Sequence, residues 1–110
     1  MAHWLFKIDF TDQRKRYRAG EITIQQLAQV VVGKLKPIHD RLVKRAQSGF
    51  GADDYSADSV ALLEIIESFE YVGLNAQATE DDFDESLARL YDWGDSKSPR
   101  GNRYLWIEPS

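Results

Sequence analysis

Two carboxylates near the carboxyl end have the types and spacing that could support chemistry. Asp92 and Asp95 are three residues apart, and paired carboxylates perform acid and base catalysis or bind hard metal ions. A catalytic metal site usually adds further convergent ligands, often histidine. We therefore expect a structural role, in which Asp92 or Asp95 caps a helix or binds Arg100 or Arg103.

The sequence contains no motif of an established catalytic class. It has no cysteine, which excludes disulfides, thiolate zinc ligands and thiol nucleophiles. The only two histidines, His3 and His39, have no partner at metal-ligand spacing. Gly49-Phe50-Gly51 lacks the Lys-Ser/Thr that completes a phosphate loop. We expect a non-enzymatic protein without a catalytic residue, cofactor or metal.

A basic cluster near the amino end is a candidate nucleic-acid site. Arg14, Lys15, Arg16 and Arg18 surround Tyr17, so an aromatic ring could stack on a base while its neighbours neutralise phosphates. The alternative is a solvated connection that docks on acidic residues of the same chain. Domains specialised in nucleic-acid binding are usually basic overall, whereas this chain has a net charge of −4. Nucleic-acid binding is therefore the second hypothesis.

An acidic cluster in the second half is a candidate protein-binding site. It consists of Glu80, Asp81, Asp82, Asp84 and Glu85. These carboxylates could imitate a phosphate backbone on a basic partner, or they could simply offset a helix dipole. We expect the cluster to steer and select a partner protein.

Aromatic residues near the carboxyl end could supply affinity for such a partner. Tyr91, Trp93, Tyr104 and Trp106 form an aromatic-rich stretch, and aromatic side chains dominate the energetics of interfaces. Such residues also lock a last helix onto a terminal strand. We assign Trp93 and Trp106 to the partner-binding surface, and self-association through a strand edge is an alternative use.

Charge and composition describe the kind of molecule. Residues 1–50 hold 10 Lys+Arg and 4 Asp+Glu, whereas residues 51–110 hold 4 and 14, so the halves have net charges of +6 and −10. The 110 residues are 43% hydrophobic, as in a soluble globular domain. No apolar run approaches the length of a membrane span. We expect one domain over residues 1–110, in the cytoplasm and without membrane contact.

Hydrophobic periodicity predicts a strand at each end of the chain. Residues 2–10 alternate apolar and polar, with a period of two. Tyr104 to Ile107 indicate a short closing strand. Because two isolated strands are marginal alone, we expect them to pair under the helices. The predicted fold is α+β and helix-dominated, with about four helices on a small sheet of the terminal strands.

The predicted helices lie between these strands. Thr23 with Gln26 forms a capping box, and Pro37 should end or kink that helix near Lys36. A second helix then begins near Ile38. A third is capped by Asp54 or Ser56, and its apolar positions make it the most buried; they are Val60, Leu62, Leu63, Ile65, Ile66 and Phe69. Thr79 caps the fourth helix.

The carboxyl-terminal pattern resembles that of small uncharacterised bacteriophage and prophage proteins. The shared residues are Phe83, Leu87, Leu90 to Asp95, Asn102-Arg103 and Trp106-Ile107, and Gly20 to Ile24 looks like the same group. In that group a Tyr-Asp-Trp helix end precedes a Trp-Ile strand. The resemblance covers about half of the chain, and the loop Ser96 to Gly101 departs from the shorter forms. It implies a phage origin and carries no site residues.

This resemblance changes the expected function. Small phage proteins without enzymatic motifs are often binders of a host protein, such as inhibitors of defence or transcription complexes. We therefore expect a protein that engages and modulates a host protein in the host cytoplasm. A nucleic-acid-binding accessory protein and a structural virion or assembly protein are the alternatives.

Overall fold

The computed structural model describes residues 4–47, 52–96 and 103–108, which form two strands and four helices. The amino-terminal strand and the closing strand pair, so the helix-dominated α+β class is confirmed in outline. The elements in chain order are β1 (Trp4–Asp9), α1 (Thr11–Arg18), α2 (Ile24–Gln47), α3 (Ala52–Leu74), α4 (Glu80–Ser96) and β2 (Arg103–Glu108).

The two strands pair in parallel, with Phe6 opposite Leu105 and Ile8 opposite Ile107. Alternation along β1 has the predicted effect, because Phe6 and Ile8 are buried whereas Lys7 and Asp9 are exposed. A parallel pair needs a long crossover connection, and here the four helices provide it.

Helix α1 is not among the helices that the sequence predicts, because the stretch Thr11 to Gly20 is polar and basic and α1 buries no residue. The carboxylate of Asp9 accepts a hydrogen bond from the Thr11 N–H at 2.9 Å and so caps the helix start. Hydrogen bonds from Thr11, first from its side-chain hydroxyl and then from its backbone N–H, hold the pKa of Asp9 below its ordinary value. At the other end the Glu21 N–H donates to the Arg16 carbonyl, while Gly20 adopts a φ of 78°. That is a Schellman motif, which requires the left-handed conformation that glycine supplies.

Of the two outcomes predicted at Pro37, an end or a kink of the helix near Lys36, the end is wrong, since α2 continues through the proline from Ile24 to Gln47. Proline removes the hydrogen bond to the carbonyl four residues earlier, which here belongs to Gly33. Both Gly33 and Pro37 are exposed, so water can satisfy that carbonyl. Leu35 and Ile38, on either side of the proline, are buried in the core, and their packing outweighs the local cost.

Capping boxes define the starts of α2 and α4; the sequence predicts the one at Thr23 with Gln26 and, for α4, the cap by Thr79. The Thr23 N–H donates to Gln26 Oε1 at 2.8 Å, and the Gln26 N–H returns a bond to Thr23 Oγ1 at 3.1 Å. At the start of α4, Asp82 has the position that Gln26 has in α2. Its Oδ2 accepts a hydrogen bond from the Thr79 N–H, and its own N–H donates to Thr79 Oγ1. Helix α3, in contrast, begins at Ala52, so Asp54 and Ser56 lie inside it and the predicted cap is wrong.

The helices and strands share one hydrophobic core, to which α2 and α3 contribute most of the buried side chains. Phe69 packs edge-on against Phe83 with ring centroids 5.5 Å apart, and Phe83 packs against Phe10 at 6.4 Å. These three rings join α3, α4 and the end of β1. Their packing fixes α3 with one side in the core and the other facing outward.

Candidate functional site

The basic and acidic clusters meet across the α1–α4 junction, where Arg14 is the connecting residue. Its Nη2 lies 3.7 Å from Asp84 Oδ1 and 4.0 Å from Glu80 Oε1. Its guanidinium lies over the Phe83 ring, 5.5 Å from the centroid, and its side chain is only 14% exposed. Arg14 therefore takes the structural role of docking one cluster on the other within the chain.

Tyr17 strengthens the same junction. Burial raises the pKa of its phenol, and the charge and hydrogen bond of Glu80 raise it further. Because Glu80 is engaged by both Tyr17 and Arg14, its carboxylate has partners inside the fold. The negative charge of Glu80 therefore stabilises the contact between α1 and α4.

The remaining members of the acidic cluster have different roles. Asp82 caps α4 through Thr79, with Oδ2 2.8 Å from the Thr79 N–H. Glu85 lies 3.6 Å from Arg89, one turn further along the exposed side of α4. Asp81 is exposed. The structure thus divides the cluster between helix capping, ion pairs and open surface.

The other basic candidates remain on the surface. Lys15, Arg16 and Arg18 are exposed on α1, at its carboxyl end, where positive charge complements the helix dipole. Of the four nucleic-acid candidates, only Arg14 is engaged by acidic side chains in the described part of the chain.

The aromatic residues that the sequence assigns to partner binding, Trp93 and Trp106, are not part of the surface that the described side chains form. Trp93 is 7% exposed and belongs to the hydrophobic core, so its packing locks α4 in place. The side chains of Trp106 and Asp95 lie outside the described residues, and Asp92 is exposed.

An exposed apolar strip lies on the outer face of α3. Val60 is 58% exposed, Leu63 41%, Tyr71 64% and Leu74 83%. Positions three, four and seven residues apart share one side of a helix, so these four side chains run along a single face. The sequence counts Val60 and Leu63 among the apolar positions that should make this helix the most buried one, but both are exposed. The core side of α3 is filled by other residues, namely Leu62, Ile65, Ile66, Phe69 and Val72.

Acidic side chains divide this strip. Glu64 and Glu67 are exposed between the two apolar ends, and Glu70 is half-buried beside Tyr71. Helix α3 carries no Lys or Arg, so its outer face is negative as well as apolar. We call this surface the α3 face; it comprises Val60, Leu63, Glu64, Glu67, Glu70, Tyr71 and Leu74.

Two shallow grooves border the carboxyl end of the α3 face. One, of about 280 Å³, runs between Tyr71 on α3 and Asp82, Glu85 and Arg89 on α4. The other, of about 200 Å³, lies between Leu74 and Val32 of α2. Tyr71 and Leu74 therefore stand as a ridge with a depression on either side. Asp82 and Glu85, members of the predicted acidic cluster, border this ridge and add to its negative charge.

Glutamine side chains of α2 position the end of α3 that carries the ridge. Gln25 Nε2 donates to the carbonyls of Asn75 and Ala78 at 3.0 and 3.2 Å. Gln29 Nε2 donates to the Gly73 carbonyl at 2.9 Å. Carbonyls at a helix end lack partners within the helix, so these bonds hold Leu74 and its neighbours in place.

Metal-binding clusters and membrane-spanning helices are absent from the described ranges. Residues 4–47, 52–96 and 103–108 contain no group of three or more His, Cys, Asp or Glu side chains arranged to hold a metal. None of the described helices combines the length and apolar character that crossing a membrane requires. Comparison with known proteins finds no matching protein family, no matching curated protein and no matching solved structure.

Proposed function

We propose that this chain is a non-enzymatic binding protein that engages a second protein through the α3 face and modulates it. The observation that carries the proposal is the apolar strip of Val60, Leu63, Tyr71 and Leu74 on a helix whose other side is fully packed. Large apolar side chains gathered on one exposed face are typical of interaction surfaces. Tyrosine on the ridge adds a residue type enriched at interface hot spots.

The spacing of the strip favours a helix as the partner element. Positions 60, 63, 67, 71 and 74 of the α3 face recur every three or four residues over about 21 Å of helix, with apolar side chains at both ends and Glu67 in the middle. That pattern is the seam into which a second helix packs. Glu64 and Glu67 in the middle of the seam select a partner helix with Lys or Arg at the facing positions, because an unpaired buried carboxylate is costly.

The identity of the partner as a bacterial host protein rests on the phage-like pattern at the carboxyl end. Small phage proteins without enzymatic motifs are often binders of a host protein, and a basic helix of a defence or transcription complex has the chemistry that the α3 face would recognise. The chain modulates its partner by binding that helix and covering its surface.

The test is capture of proteins from nuclease-treated bacterial lysate by tagged wild-type chain and by a Tyr71→Ser/Leu74→Ser variant. We expect a stoichiometric protein that the variant fails to retain. Purified, that protein should bind wild type at least tenfold more tightly than the variant, and Glu64→Lys/Glu67→Lys should slow association. Ala19→Ser, at an exposed position away from α3, is the control and should bind like wild type.

Other outcomes would contradict the proposal. A captured protein that both α3 variants retain would place binding elsewhere on the chain. Recovery of nucleic acid alone from untreated lysate, lost on replacing Lys15, Arg16 and Arg18 with alanine, would favour the nucleic-acid function instead.

A further inference from the structure

The outer edge of β1 presents backbone groups that have no partner among the described residues. The Phe10 N–H donates to the Glu108 carbonyl at 2.9 Å, and backbone groups alternate in direction along a strand. Those of Ile8 therefore also face β2, whereas those of Lys7 and Asp9 face away from it. In the described ranges the sheet has only β1 and β2, so no described strand pairs with this edge.

The sequence along this edge is complementary to itself. Residues 6–10 read aromatic, basic, aliphatic, acidic, aromatic. If two copies run antiparallel with Ile8 opposite Ile8, Lys7 of each copy lies opposite Asp9 of the other. Oppositely charged cross-strand neighbours stabilise a sheet, and like charges destabilise it. Since Lys7 and Asp9 are both exposed, the two charge pairs would form on the open face of the sheet.

The backbone geometry agrees with the same register. In an antiparallel pair, the residues that exchange both hydrogen bonds are those whose N–H and C=O groups face the shared edge. Lys7 and Asp9 meet this condition, and Ile8 does not. The hydrogen-bond geometry thus permits a small set of registers, and the opposite charges of Lys7 and Asp9 select one of them.

We propose that β1 pairs antiparallel with β1 of a second copy of this chain, which gives a symmetric dimer with a continuous four-stranded sheet. A two-stranded sheet is marginal by itself, and β1 carries no proline to block its edge. A twofold axis perpendicular to the sheet makes the interface self-complementary and places both sets of helices on the same side. The α3 face is not part of this interface, so the proposal stands apart from the proposed function.

The experiment measures molar mass by light scattering after size-exclusion chromatography, over a range of concentrations. Wild type should be a dimer. Lys7→Asp and Asp9→Lys each place like charges opposite one another, so each variant alone should be monomeric at concentrations where wild type is dimeric. An equal mixture of the two variants should form a heterodimer, because the acidic pair of one then faces the basic pair of the other. The double variant Lys7→Asp/Asp9→Lys should again be a dimer.

Circular dichroism accompanies each variant, because Asp9→Lys also removes the acceptor for the Thr11 N–H. A wild type that stays monomeric over the whole concentration range would overturn the proposal without reference to any variant. A dimer that both single variants retain would overturn it too, since another surface would then hold the dimer. Folded single variants that fail to associate when mixed would disprove the register.

Discussion

Gly73 and Gln29 fit together so closely that a β-carbon at position 73 would lie 2.9 Å from Gln29 Cγ. The same glutamine donates to the Gly73 carbonyl at 2.9 Å. The absence of a side chain on α3 therefore allows α2 to approach and to satisfy a carbonyl at the helix end. This contact lies one residue from Leu74, so it also supports the ridge of the α3 face.

Gly73→Ala should lower the free energy of unfolding by about 1 to 2 kcal/mol, because Gln29 must move and lose its hydrogen bond. The gain in helix propensity, up to about 1 kcal/mol, offsets part of the cost. Urea unfolding measures the change. In a Gln29→Ala background the clash is gone, so Gly73→Ala should be neutral or stabilising there. Equal effects in both backgrounds would show that the two residues are not coupled.

Arg14→Lys should destabilise the fold by about 1 to 2 kcal/mol, since lysine keeps the charge but loses the planar contact with Phe83. The matched control is Arg16→Lys on the same helix, at an exposed position, where the change should stay within about 0.5 kcal/mol. Urea unfolding at low and moderate salt measures the free energy of unfolding of both variants. An Arg14 effect no larger than that at Arg16 would show that the α1–α4 junction contributes no stability.

Pro37→Ala should stabilise the chain by about 1 to 2 kcal/mol, because alanine restores a hydrogen bond to the Gly33 carbonyl inside α2. The gain is smaller than the full helix penalty of proline, since proline also restricts the unfolded chain. Thermal unfolding detects the change, with the exposed neighbour Lys36→Ala as the control. A loss of stability in Pro37→Ala would mean that the proline geometry itself is required by the packing of α2.

Local signals explain which parts of the fold could be predicted. The capping box of Thr23 with Gln26 depends on residues three positions apart, and Thr79 directly precedes a run of acidic residues, so the sequence pattern identified both caps. The alternation of Phe6 and Ile8 with polar neighbours likewise predicted β1. Pro37 misled the prediction because its cost is local, whereas the burial that outweighs it comes from the core.

The candidate surface was harder to predict for a related reason. Helix α3 has apolar residues on all sides, and composition cannot tell Val60 from Leu62 before the packing of α2 against α3 is known. The acidic residues did give a signal, because Glu64, Glu67 and Glu70 mark the outward side. Helix α1 was missed because it has no buried residue; its start is capped by Asp9, which lies in the preceding strand.

Tyr17 gives the fold a defined sensitivity to alkaline pH. Its pKa is raised by burial and by Glu80. The phenol therefore ionises at a lower pH in the unfolded chain, at about pH 10, than in the folded chain. Above that pH the folded state binds more protons than the unfolded state, and stability therefore falls as pH rises towards the folded pKa. Below about pH 10 the contribution of Tyr17 is complete.

Tyr17→Phe should therefore reduce the loss of unfolding free energy between about pH 9 and about pH 11. Glu80→Gln removes the second cause and should give a slope between those of wild type and Tyr17→Phe. Urea unfolding across this range gives the slopes, and phenolate absorbance follows the titration directly. If Tyr17→Phe keeps the wild-type slope, the ionisation of the phenol is not linked to folding.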